Sequence, residues 1–203
     1  MFKNYLKIAW RNLKKNKGYS AINIGGLALG MAVTLLIGLW VIDELSHNSY
    51  FANKEKIAQV YQSQTFNGNT GTGPALPRPL EKALRDGYGD NFKHLIMSSW
   101  TNDLYLKFNE TNLSRPGNYM QREAPELLNL QILKGEKDGL REVNSIMLSE
   151  STADALFGNQ EPIGKVVKAS NQYDLMVTAV YKDIPVNNTF NDTNYIIPWD
   201  QYI

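Results

Sequence analysis

The sequence of 203 residues contains no cysteine and only two histidines. No disulfide can therefore stabilise its fold, and a zinc or other soft-metal site, which needs thiolate or imidazole ligands, is not expected. The first 17 residues contain no acidic side chain and six basic ones. From Asp43 onward the chain carries 15 basic and 20 acidic residues, so the near-neutral total conceals two segments of opposite charge.

The 25 residues from Gly18 to Ile42 also contain no charged side chain. A helix rises about 1.5 Å per residue and the core of a bilayer is about 30 Å thick, so this run is long enough to cross it. We predict a transmembrane helix over residues 18–43. Because Lys and Arg beside a span tend to remain inside, we expect a cytoplasmic N-terminus, residues 44–203 in the periplasm, and location in the inner membrane.

A cleaved signal peptide is the alternative for this segment, since it also combines a basic start with an apolar stretch. Its apolar region is usually about 7 to 15 residues long and ends at a small-x-small site. Ala28–Gly30 and Gly30–Ala32 fit such a site. Apolar or small residues nevertheless continue after Ala32 as far as Ile42, which favours a retained anchor.

The basic leader, residues 1–17, is patterned as an amphipathic helix. Such a helix is typical of a cytoplasmic segment lying on the inner leaflet, with its cations near lipid phosphates, and the lipid bilayer is its expected partner. A simple solvated run of charge is the alternative, but such runs rarely place aromatic residues at helical spacing. One side of the predicted helix carries Phe2, Tyr5, Leu6, Ala9, Trp10 and Leu13, and the other Lys3, Lys7, Arg11 and Lys14.

Within the span, Gly26 and Gly30 are separated by one helical turn. Small residues at this spacing let another membrane helix approach closely, so both are candidates for transmembrane helix packing. Small residues are also common in membrane helices generally, and background composition remains the alternative.

Residues 44–203 alternate strand and helix patterns, which predicts a mixed α/β domain and an α+β chain overall. The turn-forming residues of 67–77 and 109–117 predict loops. Ser149 is a candidate helix cap and Gly158 the residue that ends the helix. The predicted strands are 57–66, two stretches within 94–108, 119–123, 145–148, 166–169 and 173–181, and the predicted helices are 79–85, 125–133 and 149–157.

No convincing catalytic, cofactor or metal residue is found. Ser98, Ser99 and His94 are close in sequence but lack a nucleophile elbow, and chance neighbours of this kind are common. Gly68, Gly71 and Gly73 lack the frame of a phosphate-binding loop, and Asp43 with Glu44 is typical of charges that mark the end of a span. The net acidic domain would repel nucleic acid, so no nucleic-acid partner is expected.

Three groups of segments together resemble the MacB/FtsX-type ABC transporter permeases. The first resembles the start of such a permease, the second the signature of its MacB-like periplasmic core domain, and the third the segment that follows this signature. The second group is the most specific, because its residue types recur at fixed offsets. The segments are Asn12–Lys17, Ile24–Gly30 and Asp43–Ser46; Leu148–Ala153, Leu156–Gly158 and Pro162–Lys165; and Asp183–Pro185 with Asn187–Phe190.

The resemblance implies a permease subunit that carries conformational change from a separate cytoplasmic ATP-binding subunit to a periplasmic domain, for export or mechanotransmission. It also implies a second permease subunit or half, no catalysis by this chain, no cofactor, and a chain that corresponds to the N-terminal part of a longer permease with an incomplete periplasmic domain. The alternatives are a single-span sensor with a ligand-binding outer domain and an anchored extracytoplasmic enzyme. A pocket with perturbed titrating groups would favour the enzyme.

Overall fold

The structure of this protein, a computed structural model, describes residues 2–202. The chain divides into two compact units, the first ending at His47 and the second beginning at Asn48. The α-helices of the described residues are α1 Phe2–Lys15, α2 Lys17–Ser46, α3 Pro79–Tyr88, α4 Ala124–Leu127 and α5 Glu150–Phe157. The strands are β1 Gln62–Phe66, β2 Asn69–Gly73, β3 Asn102–Phe108, β4 Thr111–Met120, β5 Ile132–Gly135, β6 Ser145–Ser149, β7 Val166–Ala169, β8 Tyr173–Tyr181 and β9 Tyr195–Pro198.

The first unit consists of α1 and α2. By length and composition, α2 is the one helix among the described residues that could cross a membrane. Two polar side chains of its apolar stretch bond within the same helix: the Asn23 amide donates to the Tyr19 carbonyl at 3.0 Å, and the Thr34 hydroxyl to the Gly30 carbonyl at 2.8 Å. A helix in lipid needs such internal hydrogen bonds, because no water is present to satisfy its polar groups. In α1, the Lys14 ammonium lies 5.3 Å from the Trp10 ring centre.

The second unit is built on a mixed sheet with the strand order β5-β8-β6-β9-β4-β3-β7. Strand β7 also pairs with β8, so six of the strands close into a ring and β5 extends from β8 outside it. The β6–β8 and β4–β9 pairs are parallel, and the other pairs are antiparallel. Strands β1 and β2 form a separate hairpin. The sheet and α5 confirm the predicted mixed α/β domain.

Two apolar cores lie on opposite faces of the sheet, because neighbouring side chains of a strand point to opposite faces. In β6, Ile146 and Leu148 belong to the first core and Met147 to the second. All six strands of the ring contribute to the first core, which α5 also covers. The first core includes Leu106, Tyr119, Leu148, Phe157, Val167, Leu175 and Tyr195. The second includes Phe51, Met120, Leu128, Met147, Tyr181 and Ile196.

Thr178 marks an irregularity in β8, where the pairing with β6 shifts between Ile146 and Met147. Its hydroxyl donates to the Gly139 carbonyl at 2.7 Å. Gly135 of the neighbouring strand β5 has a φ of +78°, and a Cβ atom there would lie 2.1 Å from the Thr178 carbonyl oxygen. The shift therefore requires a glycine at position 135, where no side chain has room.

The local predictions that rest on caps and tight turns are confirmed. The Ser149 side chain accepts from the Thr152 amide at the start of α5, and Gly158 follows the helix with a φ of +57°. The predicted strands over 166–169 and 173–181 are β7 and β8, which pair directly across residues 170–172, where Ser170 and Asn171 have positive φ. Helix α3 begins at Pro79 as predicted and continues to Tyr88.

The prediction of a loop over residues 67–77 is wrong, because β2 lies within it. Asn67 and Gly68, with φ of 50° and 79°, form a two-residue turn that places Phe66 opposite Asn69. An Asn-Gly pair is well suited to such a hairpin, since both central residues take positive φ. Strand β1 is also shorter than the predicted strand over residues 57–66.

Three further predictions are wrong. A turn over residues 109–117 and a strand over 119–123 are replaced by the ten-residue strand β4, which runs through Pro116. The proline is tolerated because β9 pairs with β4 only from Asn118 onward. The helix predicted over 125–133 ends at Leu127, and Asn129, with a φ of 48°, precedes strand β5. Two strand stretches are predicted within 94–108. The second corresponds to β3, and in the first Ser98 forms an isolated bridge to Met120.

Candidate functional site at the start of the second unit

Asn48, the first residue of the second unit, is bonded to a loop near the other end of the chain. Its backbone N–H donates to the Asn187 carbonyl at 3.0 Å. Its side-chain oxygen accepts from the Thr189 backbone N–H at 2.8 Å, and its amide nitrogen donates to the Thr189 hydroxyl at 3.0 Å. Asn48 has a φ of 58°, a left-handed conformation that asparagine tolerates better than most residues.

Phe51 adds an apolar anchor next to this polar contact. Its side chain is 5% exposed and belongs to the second core. The ring of Phe190 lies edge-on to it, with 6.2 Å between the ring centres. Burial of a phenylalanine contributes about 1.5 to 3 kcal/mol, so this anchor is worth more than one hydrogen bond. We name the set of Asn48, Phe51, Thr189 and Phe190 the junction clamp.

The loop that holds the junction clamp is itself fixed to the start of α5. The Asp183 carboxylate accepts from the Ser151 backbone N–H at 3.2 Å and from the Ser151 hydroxyl at 2.9 Å. A carboxylate at the beginning of a helix also interacts favourably with the helix dipole. Further along the loop, the Asn188 amide donates to the Pro185 carbonyl at 2.9 Å. The structure thus joins residues 148–153 to residues 183–190.

The end of the same loop is tied to β4 by a buried polar chain. The Tyr181 hydroxyl donates to the Thr193 carbonyl at 2.9 Å, and the Thr193 hydroxyl donates to the Asn118 side-chain oxygen at 2.7 Å. Burial raises the pKa of Tyr181 well above its ordinary value. Since the hydroxyl stays protonated, it remains a hydrogen-bond donor. Residues 181–193 are therefore held at both ends and in the middle.

The motif Pro162–Lys165 lies elsewhere on the same domain, between α5 and β7. The Gly164 backbone N–H donates to the Val177 carbonyl at 2.8 Å, and Gly164 has a φ of +77°. Ile163 packs against the first core. This motif therefore turns the chain into β7, as its composition indicates, and contributes to packing.

The residues weighed as catalytic candidates have other contacts. The Ser99 hydroxyl donates to the Trp100 carbonyl at 2.7 Å and accepts from the Tyr119 backbone N–H at 2.9 Å. His94 lies next to two glutamates, with its Nε2 atom 3.5 Å from Glu126 and its Nδ1 atom 3.9 Å from Glu123. The serine supports the backbone, and the histidine is a mostly buried side chain beside two more exposed glutamates.

The remaining candidates are dispersed. Gly68, Gly71 and Gly73 lie in or beside the β1–β2 hairpin, away from any helix start. Asp43 and Glu44 lie within α2. Among the described residues, no group of three potential metal-ligating side chains comes together. On α2, a Cβ atom added at Gly26 or Gly30 would meet nothing within 4 Å, so space for a neighbouring helix is present at both positions.

Sequence reasoning missed the junction clamp as a site. Its residues Thr189 and Phe190 lie in a segment that the family resemblance identifies, but their partners precede them by about 140 positions, the Asn48–Thr189 separation being 141. One local signal was available: the run Asn187–Asn188–Thr189 is rich in side chains that bond to backbone groups.

The fold and the junction clamp define a class of protein in which a mixed α/β domain starts immediately after a helix long enough to span a membrane. The family comparison is more specific. The sequence profile of the MacB-like periplasmic core domain matches residues 20–203, and the chain belongs to this family. The match confirms the resemblance to MacB/FtsX-type permeases, and with the apolar helix it indicates an inner-membrane protein.

Partial likenesses are found among solved structures. One is the extracellular domain of the noncanonic ABC-type transporter YknZ from Gram-positive bacteria, with 19% identity, a TM-score of 0.49, and coverage of 62% of this chain and 63% of that one. Another is the periplasmic region of MacB from Actinobacillus actinomycetemcomitans, with 17% identity, a TM-score of 0.48, and coverage of 60% and 54%. The alignment thus spans less than two thirds of either structure. No curated protein matches the chain.

Proposed function

We propose that this chain is part of an ABC transporter permease and transmits movement from a separate cytoplasmic ATPase to the periplasmic domain, for export or mechanotransmission. The observation that carries this proposal is the junction clamp. Helix α2 ends at Ser46, and Asn48 is already bonded to Thr189. Only His47 separates the helix from this contact. A displacement of the helix end would therefore act on a fixed point of the domain.

From the clamp, the contacts lead into the sheet. Phe51 passes a displacement to the second core, and Thr189 passes it to the loop that Asp183 fixes to α5. Packed interiors deform little and transmit strain, so a domain of this kind would move as a body. A long flexible linker at the same place would absorb the movement. The short connection is what supports mechanical coupling over simple anchoring.

The charge of the first 17 residues supports a cytoplasmic N-terminus, with residues 44–203 in the periplasm and residues 18–43 as the span. Helix α1 would then lie on the inner leaflet, with its five cations among anionic headgroups. A reporter active only in the periplasm, fused after Leu45, would be active in this topology. Activity of a cytoplasmic reporter at the same position would contradict it.

Gly26 and Gly30 support a neighbouring helix from a second permease subunit or half. Their open space on α2 permits the backbone of such a helix to approach. The chain itself is not proposed to be an enzyme, because ATP hydrolysis would take place on the separate subunit.

Copurification tests the ATPase partnership. The full chain, affinity-tagged and extracted from its native membrane, is expected to bring down a protein that hydrolyses ATP, identified by mass spectrometry. A single-span protein with an unrelated outer domain serves as the control. Recovery of no ATP-hydrolysing protein above this control would overturn the proposal and favour a single-span sensor.

A further inference from the structure

The β1–β2 hairpin has properties that its place in the fold does not explain. It pairs with no other strand among the described residues, and none of its residues is buried. The aromatic ring of Phe66, next to its turn, is 79% exposed. A two-stranded hairpin alone in water is at best marginally stable. A partner that extends it would supply the missing stabilisation.

The charge pattern of the hairpin is also unusual. The 21 residues Ile57–Pro77 contain no charged side chain, although 41 of the 203 residues of the chain are Lys, Arg, Asp or Glu. Proteins normally protect open strand edges with charges, prolines or bulges. Neither β1 nor β2 contains such a feature. Both edges are therefore free to accept another strand.

The pairing within the hairpin determines which backbone groups point outward. Phe66 and Asn69 flank the two-residue turn and bond to each other, and bonded and non-bonded pairs then alternate along the ladder. The backbone N–H and C=O groups of Ser63 and Thr65 consequently face the open edge of β1. In β2 the corresponding edge is weaker, because Gly71 and Gly73 lose more conformational entropy on pairing.

We propose that β1 is a dimerisation edge, at which a second copy of this chain adds its own β1 in antiparallel orientation, centred on Gln64. Ser63 of one copy then pairs with Thr65 of the other, and Gln64 faces Gln64. The two hairpins become one four-stranded sheet.

The side chains favour a second copy over a different partner. At a two-fold axis each side chain meets itself or a near neighbour, so a charged residue would face its own sign. The Gln64 amide both donates and accepts hydrogen bonds, so it is complementary to the same side chain of a second copy. The hydroxyls of Ser63 and Thr65 already bond to Thr72 and Thr70 within the hairpin, and these two residues contribute their backbone groups. The absence of charge over the whole stretch meets this requirement. Phe66 would lie opposite Gln62 of the second copy and lose much of its exposure.

The absence of cysteine makes a sharp test possible, because a single introduced cysteine has no competing partner. The full chain carrying Gln64→Cys is purified in detergent, oxidised mildly and analysed on a non-reducing gel. Antiparallel neighbours lie close enough for a disulfide, so we expect about tenfold more cross-linked dimer than for the matched control Phe66→Cys, whose two copies lie far apart in this register. Equal cross-linking of the two variants would overturn the proposal.

Two more variants complete the test. Gly71→Cys reports pairing through β2 instead, and cross-linking of this variant above Gln64→Cys would overturn the assignment to β1. Adding Ser63→Pro to Gln64→Cys removes an outward N–H that the hairpin itself does not use. We expect cross-linking to fall to the level of the Phe66→Cys control while circular dichroism stays unchanged. Undiminished cross-linking would show that backbone pairing is not the cause. This dimer requires no ATPase, so its absence and the absence of the ATPase partner are separate results.

Discussion

Asn48 and Thr189 are 141 residues apart in the sequence and exchange two hydrogen bonds, one from the Thr189 backbone to the Asn48 side chain and one in the opposite direction. The pair closes the domain by joining its first residue to its last long loop. It also stands directly after the helix that could span a membrane. The stability of the domain and its proposed mechanical coupling to helix α2 are therefore expected to depend on the same contact.

The first prediction concerns the Asn48 side chain. Asn48→Gly preserves the left-handed backbone and removes both side-chain bonds, so we expect a loss of about 1 to 2 kcal/mol in the free energy of unfolding. Asn48→Ala should lose roughly 1 kcal/mol more, because alanine is strained at this φ. Urea unfolding of the full chain, followed by near-ultraviolet circular dichroism, measures both values.

Asn53→Ala is the matched control for the Asn48 variants. Asn53 makes no side-chain capping bond at the short 3₁₀ turn that follows it. Its replacement should change the free energy of unfolding by no more than about 0.5 kcal/mol. If Asn48→Gly were as stable as the Asn53 variant, the two side-chain hydrogen bonds of Asn48 would not contribute to stability.

The second prediction concerns Gly117 in β4. A Cβ atom at this position would lie 2.5 Å from the ring of Tyr195, which is fully buried and donates from its hydroxyl to the Asn102 carbonyl at 2.6 Å. The ring cannot move without losing this bond. Gly117→Ala should therefore destabilise the domain by about 1 to 3 kcal/mol, measured by urea unfolding.

Gly87→Ala is a control variant for which we expect a gain in stability instead of a loss. Gly87 lies in α3, and a Cβ atom there meets nothing within 4 Å. Alanine in a helix is favoured over glycine, so this variant should gain up to about 1 kcal/mol. Equal stability of the two alanine variants would contradict the tight contact of Gly117 with Tyr195.

The sequence allowed prediction of the elements whose signals are local. Ser149 caps α5 and Gly158 ends it because each residue acts within one turn of its own position. The β7–β8 pair follows from two β-forming runs around a short polar turn. Helix α2, which is uncharged from Gly18 to Ile42, needs only its length and composition. In each of these elements the deciding contacts lie within a few residues.

Other elements depend on distant partners. Three of the five residues of strand β2 are Asn or Gly, which are depleted in strands, and β2 forms because the Asn67–Gly68 turn returns the chain to β1. Pro116 suggested a turn, but its pairing with Asp103 of β3 holds it within β4. The closure of the ring and the junction clamp join residues far apart in the chain. No periodicity of a single sequence encodes such pairings.

The third prediction concerns acid stability through Asp138. Hydrogen bonds from Arg122 lower the pKa of Asp138 to about 2 against partial burial, with a further contribution from Arg141. The folded pKa lies below the ordinary value of 3.8, so the stabilisation is complete above about pH 5 and is lost as the pH falls towards 2. Unfolding of the wild type should therefore become easier over this range.

Asp138→Asn tests the assignment, since asparagine does not titrate. We expect the stability of this variant to be lower than that of the wild type at pH 7 and to fall less between pH 4 and 2. Urea midpoints at several pH values provide the measurement. Parallel pH profiles for the two proteins would mean that another carboxylate is responsible.

The fourth prediction concerns alkaline stability. Burial raises the pKa of Tyr181 well above its ordinary value of 10, and burial likewise raises that of Tyr195. Both hydroxyls ionise in the unfolded chain at about pH 10 but resist ionisation in the folded domain. The folded state binds more protons above pH 10, so its stability should fall as the pH rises further.

Tyr181→Phe should reduce this fall while costing about 1 to 3 kcal/mol at pH 7, because the buried Thr193 carbonyl loses its donor. Thermal unfolding at pH 7 and above pH 10 distinguishes the two effects, and a Tyr181→Phe variant with an unchanged alkaline loss and full stability at pH 7 would refute the hydrogen bond to Thr193.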